Sequence, residues 1–93
     1  MKIKDKIMRL FGYENRENIH IREEFKKHPP KSDKMWERRL YWMWNNRKFK
    51  VPIVVTRIGA WVLMDGYTSY LIAKENNIKY VKVVRVGCLQ ENN

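Results

Sequence analysis

A glycine divides the C-terminal part of this chain into two periodicities. From Val62 to Val86 the sequence reads VLMDGYTSYLIAKENNIKYVKVVRV, and Asp65-Gly66 stands where an apolar extended run gives way to a helix-forming one. The helix then closes at Asn76-Asn77, residue types that tolerate the left-handed conformation of a helix end, and a Val-rich strand, Ile78–Val86, follows. A strand, a sharp turn, a short helix and a second strand therefore form one compact unit. The first N–H groups of a helix have no partner within it, and its dipole end there is positive. The turn at Asp65–Ser69 is thus the candidate place for a phosphate or carboxylate, with Gly66, Tyr67, Thr68 and Ser69 as its phosphate-binding residues.

Upstream, Pro52–Arg57 (PIVVTR) is β-branched and apolar, which predicts a central strand. Ile58-Gly59-Ala60 makes a hairpin turn into Trp61–Met64. Asn18–Arg22 alternates Ile19 and Ile21 with polar residues, as an edge strand does. Pro29-Pro30 excludes a helix, and Ser32 is placed to cap one running from about Asp33 to Asn46. Along that helix Trp36, Leu40, Met43 and Trp44 fall at i, i+4, i+7 and i+8, the spacing of a core-facing stripe, with Arg38, Tyr41 and Asn45 opposite and Trp42 between the faces. Residues 4–11 predict a short amphipathic helix that docks Ile7, Leu10 and Phe11 on the body of the domain, ended by Gly12. The whole is one domain over residues 1–93, of α+β class: a small mixed sheet with flanking helices, and a tail at Gln90–Asn93.

Charge points to a partner. Twenty Lys and Arg against ten Asp and Glu give a net +10, a self-repulsion that no fold requires and a polyanion relieves. Residues 1–50 carry fifteen of these cations and seven acids, against five and three in residues 51–93, so the N-terminal half is the partner-facing one. Its candidate nucleic-acid contacts are Lys31, Lys34, Arg38, Arg39, Arg47, Lys48 and Lys50, with Tyr41 and Trp42 interleaved to stack on unpaired bases, each such stack being worth on the order of 1–3 kcal/mol. Trp36, Trp44 and Trp61 are assigned to the core. One cysteine, Cys88, allows no internal disulfide and suits a reducing, cytoplasmic setting. No run of eighteen apolar residues and no leader peptide is visible, so no membrane partner is expected.

Catalytic chemistry has thin support. Asp65 stands without a partner acid or base, and an aspartate at such a junction more often satisfies local N–H groups. His20 and His28, with Glu23 and Glu24 between them, match no zinc spacing, so no metal site is assigned.

The succession Ile19-His20-Ile21, Pro29-Pro30, the Trp36 helix, Pro52-Ile53-Val54-Val55, Leu63-Met64-Asp65-Gly66-Tyr67, Ala73-Lys74-Glu75 and Tyr80–Val86 resembles the ParB-like nuclease domain family, the ParB/sulfiredoxin fold, over about residues 19–86. That fold hosts partitioning switches, sulfiredoxins, kinases and nucleases, so the turn must decide between them. Nucleotide-using members carry a basic residue just after the glycine; here stand Thr68 and Ser69. Sulfiredoxins carry a cysteine and a histidine there, and both are missing. The resemblance therefore implies a nucleic-acid-binding ParB-like module without catalysis, of phage or mobile-element type. Two alternatives stay open. One is an inhibitor that binds a host nucleoprotein or defence nuclease; the other is a nuclease or nucleotide-dependent phosphotransferase using Asp65, Thr68, Ser69 and Glu75 around Mg²⁺, with Mg²⁺ or a nucleotide as its cofactor. A homodimer through the edge strand is a further open possibility.

Overall fold

The structure is a computed structural model that describes residues 2–87, so Cys88 and the expected tail at 90–93 lie outside the described residues. Five strands and four helices follow one another as α1 (Ile3–Leu10), β1 (Tyr13–Asn15), a 3₁₀ turn (Arg16–Asn18), β2 (Ile19–His20), α2 (Glu23–Lys27), α3 (Ser32–Trp44), β3 (Ile53–Ile58), β4 (Ala60–Asp65), α4 (Tyr67–Glu75) and β5 (Tyr80–Val86). This is the expected α+β architecture, with β1, the 3₁₀ turn and α2 added. The sheet order is β1-β5-β3-β4-β2, with β3 central and β2 at an edge, as their patterns predict.

Strand β3 pairs antiparallel with its hairpin partner β4 and parallel with β5, so the β4-α4-β5 unit spans β3 without pairing its own two strands. Gly59 turns the hairpin at φ +70°. The helix α4 crosses one face, sealing Ile53, Val55, Leu63, Val81 and Val83 under Tyr70 and Ala73, with Ile19 and Ile21 completing the core. At its end Asn77 takes φ +56° and the Ile78 N–H donates to the Ala73 carbonyl at 2.9 Å, which satisfies carbonyls the helix leaves open. The same device ends α3, where Asn46 and Arg47 have positive φ and the Arg47 N–H reaches the Trp42 carbonyl at 2.9 Å.

Two helices present faces opposite to those expected. In α3 the buried residues are Met35 and Trp42, packed on Ile72, while Trp36 and Trp44 are 62% and 81% exposed and Met43 is open too. The inward stripe is Met35, Arg38, Arg39, Trp42, at i, i+3, i+4 and i+7. Its two arginines hide it from a reading based on apolar residues, and they reach Thr68 and Glu75 on α4. Ser32 lies inside the first turn instead of capping it, and Asp33 Oδ1 accepts from the Lys34 N–H at 2.8 Å.

In α1 the expected docking residues Ile7, Leu10 and Phe11 are exposed, and the helix is seated by its polar side. Asp5 is buried and accepts from the Tyr80 hydroxyl at 2.6 Å. Arg9 grips Glu14 through two bonds of 2.7 and 3.0 Å. Glu14 is fully buried and also accepts from Arg85 at 2.9 Å and from Asn18 Nδ2 at 3.1 Å. Burial pushes the Glu14 carboxyl up, but Arg9, Asn18 and Arg85 outweigh it and hold the group below the ordinary carboxylate range. The Tyr80 hydroxyl holds the Asp5 carboxyl below its ordinary value in turn, and the same bond, with burial, pushes the Tyr80 phenol up to about 12.

Candidate functional site

The turn after β4 is fixed by a close approach. Gly66 has φ +88°, and a Cβ there would lie 2.3 Å from the Pro52 carbonyl oxygen and 2.8 Å from Ile53 Cα. Only glycine allows β3 to begin this close beneath the start of α4. Asp65 is exposed, and its Oδ1 accepts from the Gly66 N–H at 2.8 Å. The first intrahelical bond of α4 runs from the Tyr70 N–H to the Gly66 carbonyl, and no side chain caps the helix. The N–H groups of Tyr67, Thr68 and Ser69 therefore form its open, positive end.

The two hydroxyls of this turn have different fates. Ser69 is buried and donates to the Val51 carbonyl at 2.5 Å, which ties α4 to the entry of β3 and takes its proton away from any ligand. Thr68 Oγ1 accepts from Arg38 Nη1 at 3.2 Å. Arg38 thus comes from α3, thirty residues upstream, to place a guanidinium at the spot where the sequence shows no basic residue. Its Nε is buried without a partner.

Around this point lies a cleft of about 450 Å³, lined by Phe25, His28, Pro30, Lys34, Arg38, Val51 and the turn from Asp65 to Thr68. Lys34 and Arg38 share one face of α3, four residues apart. His28 and Pro30 enter from the link after α2. Asp65 is the one carboxylate among these lining residues. The arrangement offers a guanidinium, an ammonium and a helix N-terminus to one anion, with the aromatic pair Phe25 and Tyr67, ring centroids 5.4 Å apart, at its wall.

The other proposed contacts disperse. Arg39 forms a two-bond pair with Glu75, one bond at 3.0 Å, and so joins α3 to α4; Glu75 is thereby engaged as well. Lys50 pairs with Glu37 at 2.9 Å and lies 5.9 Å from the Tyr41 ring centroid. The base-stacking role given to Trp42 is corrected by its position: the ring is 5% exposed, and the Arg47 guanidinium covers it at 4.8 Å. Arg47 and Lys48 line a second cleft of about 730 Å³ beside β5, with Trp42, Phe49 and Tyr80. Lys31 precedes α3 and is exposed. The core role given to Trp61 stands in part: its half-buried ring lies between Arg57 and Arg85, at 5.2 and 4.8 Å. Among the described residues no three His, Cys, Asp or Glu side chains are grouped to hold a metal ion, and no helix is long and apolar enough to cross a membrane.

A mixed five-stranded sheet with a glycine turn leading into a helix over its central strand is a ParB-like fold. Two solved structures of a pNOB8-like ParB N-domain share it. One has a TM-score of 0.62 at 26% identity over 78% of this chain, and the other 0.59 at 23% identity over 87%. This chain spans 28% of the length of each of those chains. No family model matches the sequence, and no curated protein does.

Proposed function

We propose that this chain is a nucleic-acid-binding module on a ParB-like fold, binding without catalysis and taking a backbone phosphate in the cleft at the start of α4. The observation that carries this reading is the convergence of Arg38, Lys34 and the open N–H groups of Tyr67 and Thr68 on one cleft. A phosphate there meets a charged, bond-donating fork and the positive end of a helix together, the pairing that anion sites use. The net +10 supplies the longer-range attraction that makes binding to a polyanion fast and salt-dependent. The likeness to ParB N-domains supports the same direction. Asp65 is the one carboxylate lining the cleft and its Oδ1 is turned to the Gly66 N–H, which favours binding over turnover.

The cleft also has the size of a small-molecule site, so a free nucleotide is the competing occupant. Fluorescence-anisotropy titration of labelled single- and double-stranded DNA and RNA over a salt series separates the two. Arg38→Ala is expected to weaken nucleic-acid affinity by about tenfold and to reduce the salt slope by about 1, while Asp65→Ala leaves affinity nearly unchanged. Absence of binding at low salt sinks the reading. Saturable binding of a nucleoside triphosphate that depends on Arg38, without nucleic-acid binding, transfers the cleft to the competing occupant. Mg²⁺-dependent cleavage in the same samples makes the protein an enzyme.

A further inference from the structure

The helix α1 is built the opposite way from an ordinary surface helix. Its polar residues Asp5 and Arg9 face the protein, held by Tyr80, Asn18 and Glu14, and its apolar residues other than the half-buried Met8 face out. Ile3, Ile7, Leu10 and Phe11, at i, i+4, i+7 and i+8, form one crest, with Leu10 84% and Phe11 71% exposed. Helical geometry sets Lys4 on one side of that crest and Lys6, with Lys2 before it, on the other. All three lysines are exposed, the Lys4 ammonium lying 5.5 Å from the Tyr80 ring centroid. Aliphatic and aromatic side chains turned to solvent and flanked by cations are what a helix lying in a membrane interface presents.

We infer that α1 is an interfacial helix that seats the protein on an anionic lipid surface, inserting Ile7, Leu10 and Phe11 between headgroups while Lys2, Lys4 and Lys6 meet lipid phosphates. Three features favour lipid over other occupants. The face is a convex crest, which a deformable bilayer accepts and a protein partner must match with a groove. Four side chains on an eight-residue helix and its C-cap fall short of the roughly 800 Å² per partner that a stable dimer buries. Pairing two copies here would also set lysines of two +10 molecules against one another. The polar seat matters as much as the crest: the bonds to Glu14 and Tyr80 hold α1 in place without using its apolar side.

The test is co-sedimentation of the full chain with vesicles of phosphatidylcholine alone and of phosphatidylcholine containing a third phosphatidylglycerol. Binding is expected to the anionic vesicles, with little to the neutral ones. Leu10→Ser with Phe11→Ser keeps the net charge and alters only exposed positions; it is expected to lower vesicle affinity about tenfold or more, with the circular dichroism spectrum and thermal midpoint unchanged. Lys4→Gln with Lys6→Gln is expected to lower it by about fivefold for each lysine. No binding to anionic vesicles at low salt overturns the inference, as does binding that the double-serine variant retains, which marks simple attraction of a basic protein. A concentration-dependent dimer that the double-serine variant abolishes overturns it in favour of a second copy of this chain.

Discussion

The two ends of this protein are held by different physics. Its C-terminal unit, β3 to β5 under α4, closes on side chains with almost no accessible surface: Ile53, Val55, Leu63, Ala73 and Val81. Its N-terminal layer, α1 with β1 and the 3₁₀ turn, closes on a buried carboxylate shared by two arginines and on a phenol bonded to an aspartate. Apolar burial is indifferent to pH and tolerant in geometry, whereas a buried ionic network needs its charges and loses heavily when one is removed. The difference teaches that one chain can use its apolar residues to close one end and leave them outward at the other, provided that polar bonds hold the second end in place.

The largest expected effect lies in the apolar end. Gly66→Ala sets a Cβ against Pro52 and Ile53 in a left-handed conformation, and the expected loss in urea denaturation is more than about 3 kcal/mol, or failure to fold. Next, Leu63→Ala removes a fully buried side chain and is expected to cost about 3 kcal/mol, with little change between pH 4 and pH 8 by the same measurement.

Glu14→Gln sharpens the contrast. Its expected cost is about 2 kcal/mol at neutral pH, reduced from the value for a fully buried pair because Arg9 and Arg85 keep 21% and 26% of their side chains exposed. Because the folded carboxyl titrates below its ordinary value of 4.5, its stabilisation is present above that value and is lost as pH falls through the folded one. The wild-type chain is therefore expected to lose hydrogen-exchange protection in α1 on acidification before it does in α4, and the variant to show this dependence more weakly, the part that remains belonging to Asp5. The phenol works in reverse: raised from 10.0 to about 12, it adds stability below 10 that disappears as pH climbs through about 12. Tyr80→Phe is expected to remove the alkaline limb and, because the same bond holds the Asp5 carboxyl below its ordinary value, to weaken the acid-side dependence as well. The smallest effect belongs to Arg39→Ala, whose pair with Glu75 is more than a third exposed on both sides; below about 1 kcal/mol is expected.

Much of the apolar end is legible in the sequence. The β-branched runs, the Asp65-Gly66 break and the Asn76-Asn77 stop give β3, β4, α4 and β5 almost to their ends, because at these places local propensity and tertiary packing agree. In the N-terminal layer the helix α1 is legible but its seat is not, because β1 is three residues, YEN, with no apolar alternation, and its central Glu14 is a residue type seldom found fully buried. The inward face of α3 misleads for a related reason: two of its four contact residues are arginines, and an apolar count sends the tryptophans inward instead. The cleft was half legible. The turn gives the N–H groups from sequence alone, but the cation beside them comes from another helix, and no local pattern joins Arg38 to Thr68 across thirty residues. Their spacings offer one usable signal, since Arg38 and Arg39 beside a Met35 to Trp42 repeat match Thr68, Ile72 and Glu75 on α4.

Because the charge and the N–H groups of the cleft sit on separate helices, their spacing is set at an interface outside the cleft lining. The distance from Arg38 to the start of α4 is set by how Met35 and Trp42 rest on Ile72 and by the Arg39 to Glu75 clasp farther along the same interface. Sliding α3 by a fraction of a turn parts the cation from the amides while leaving every lining residue intact. Trimming Ile72 is thus expected to act as a tuning screw for the proposed anion affinity, in either direction, without any change to the residues that line the cleft.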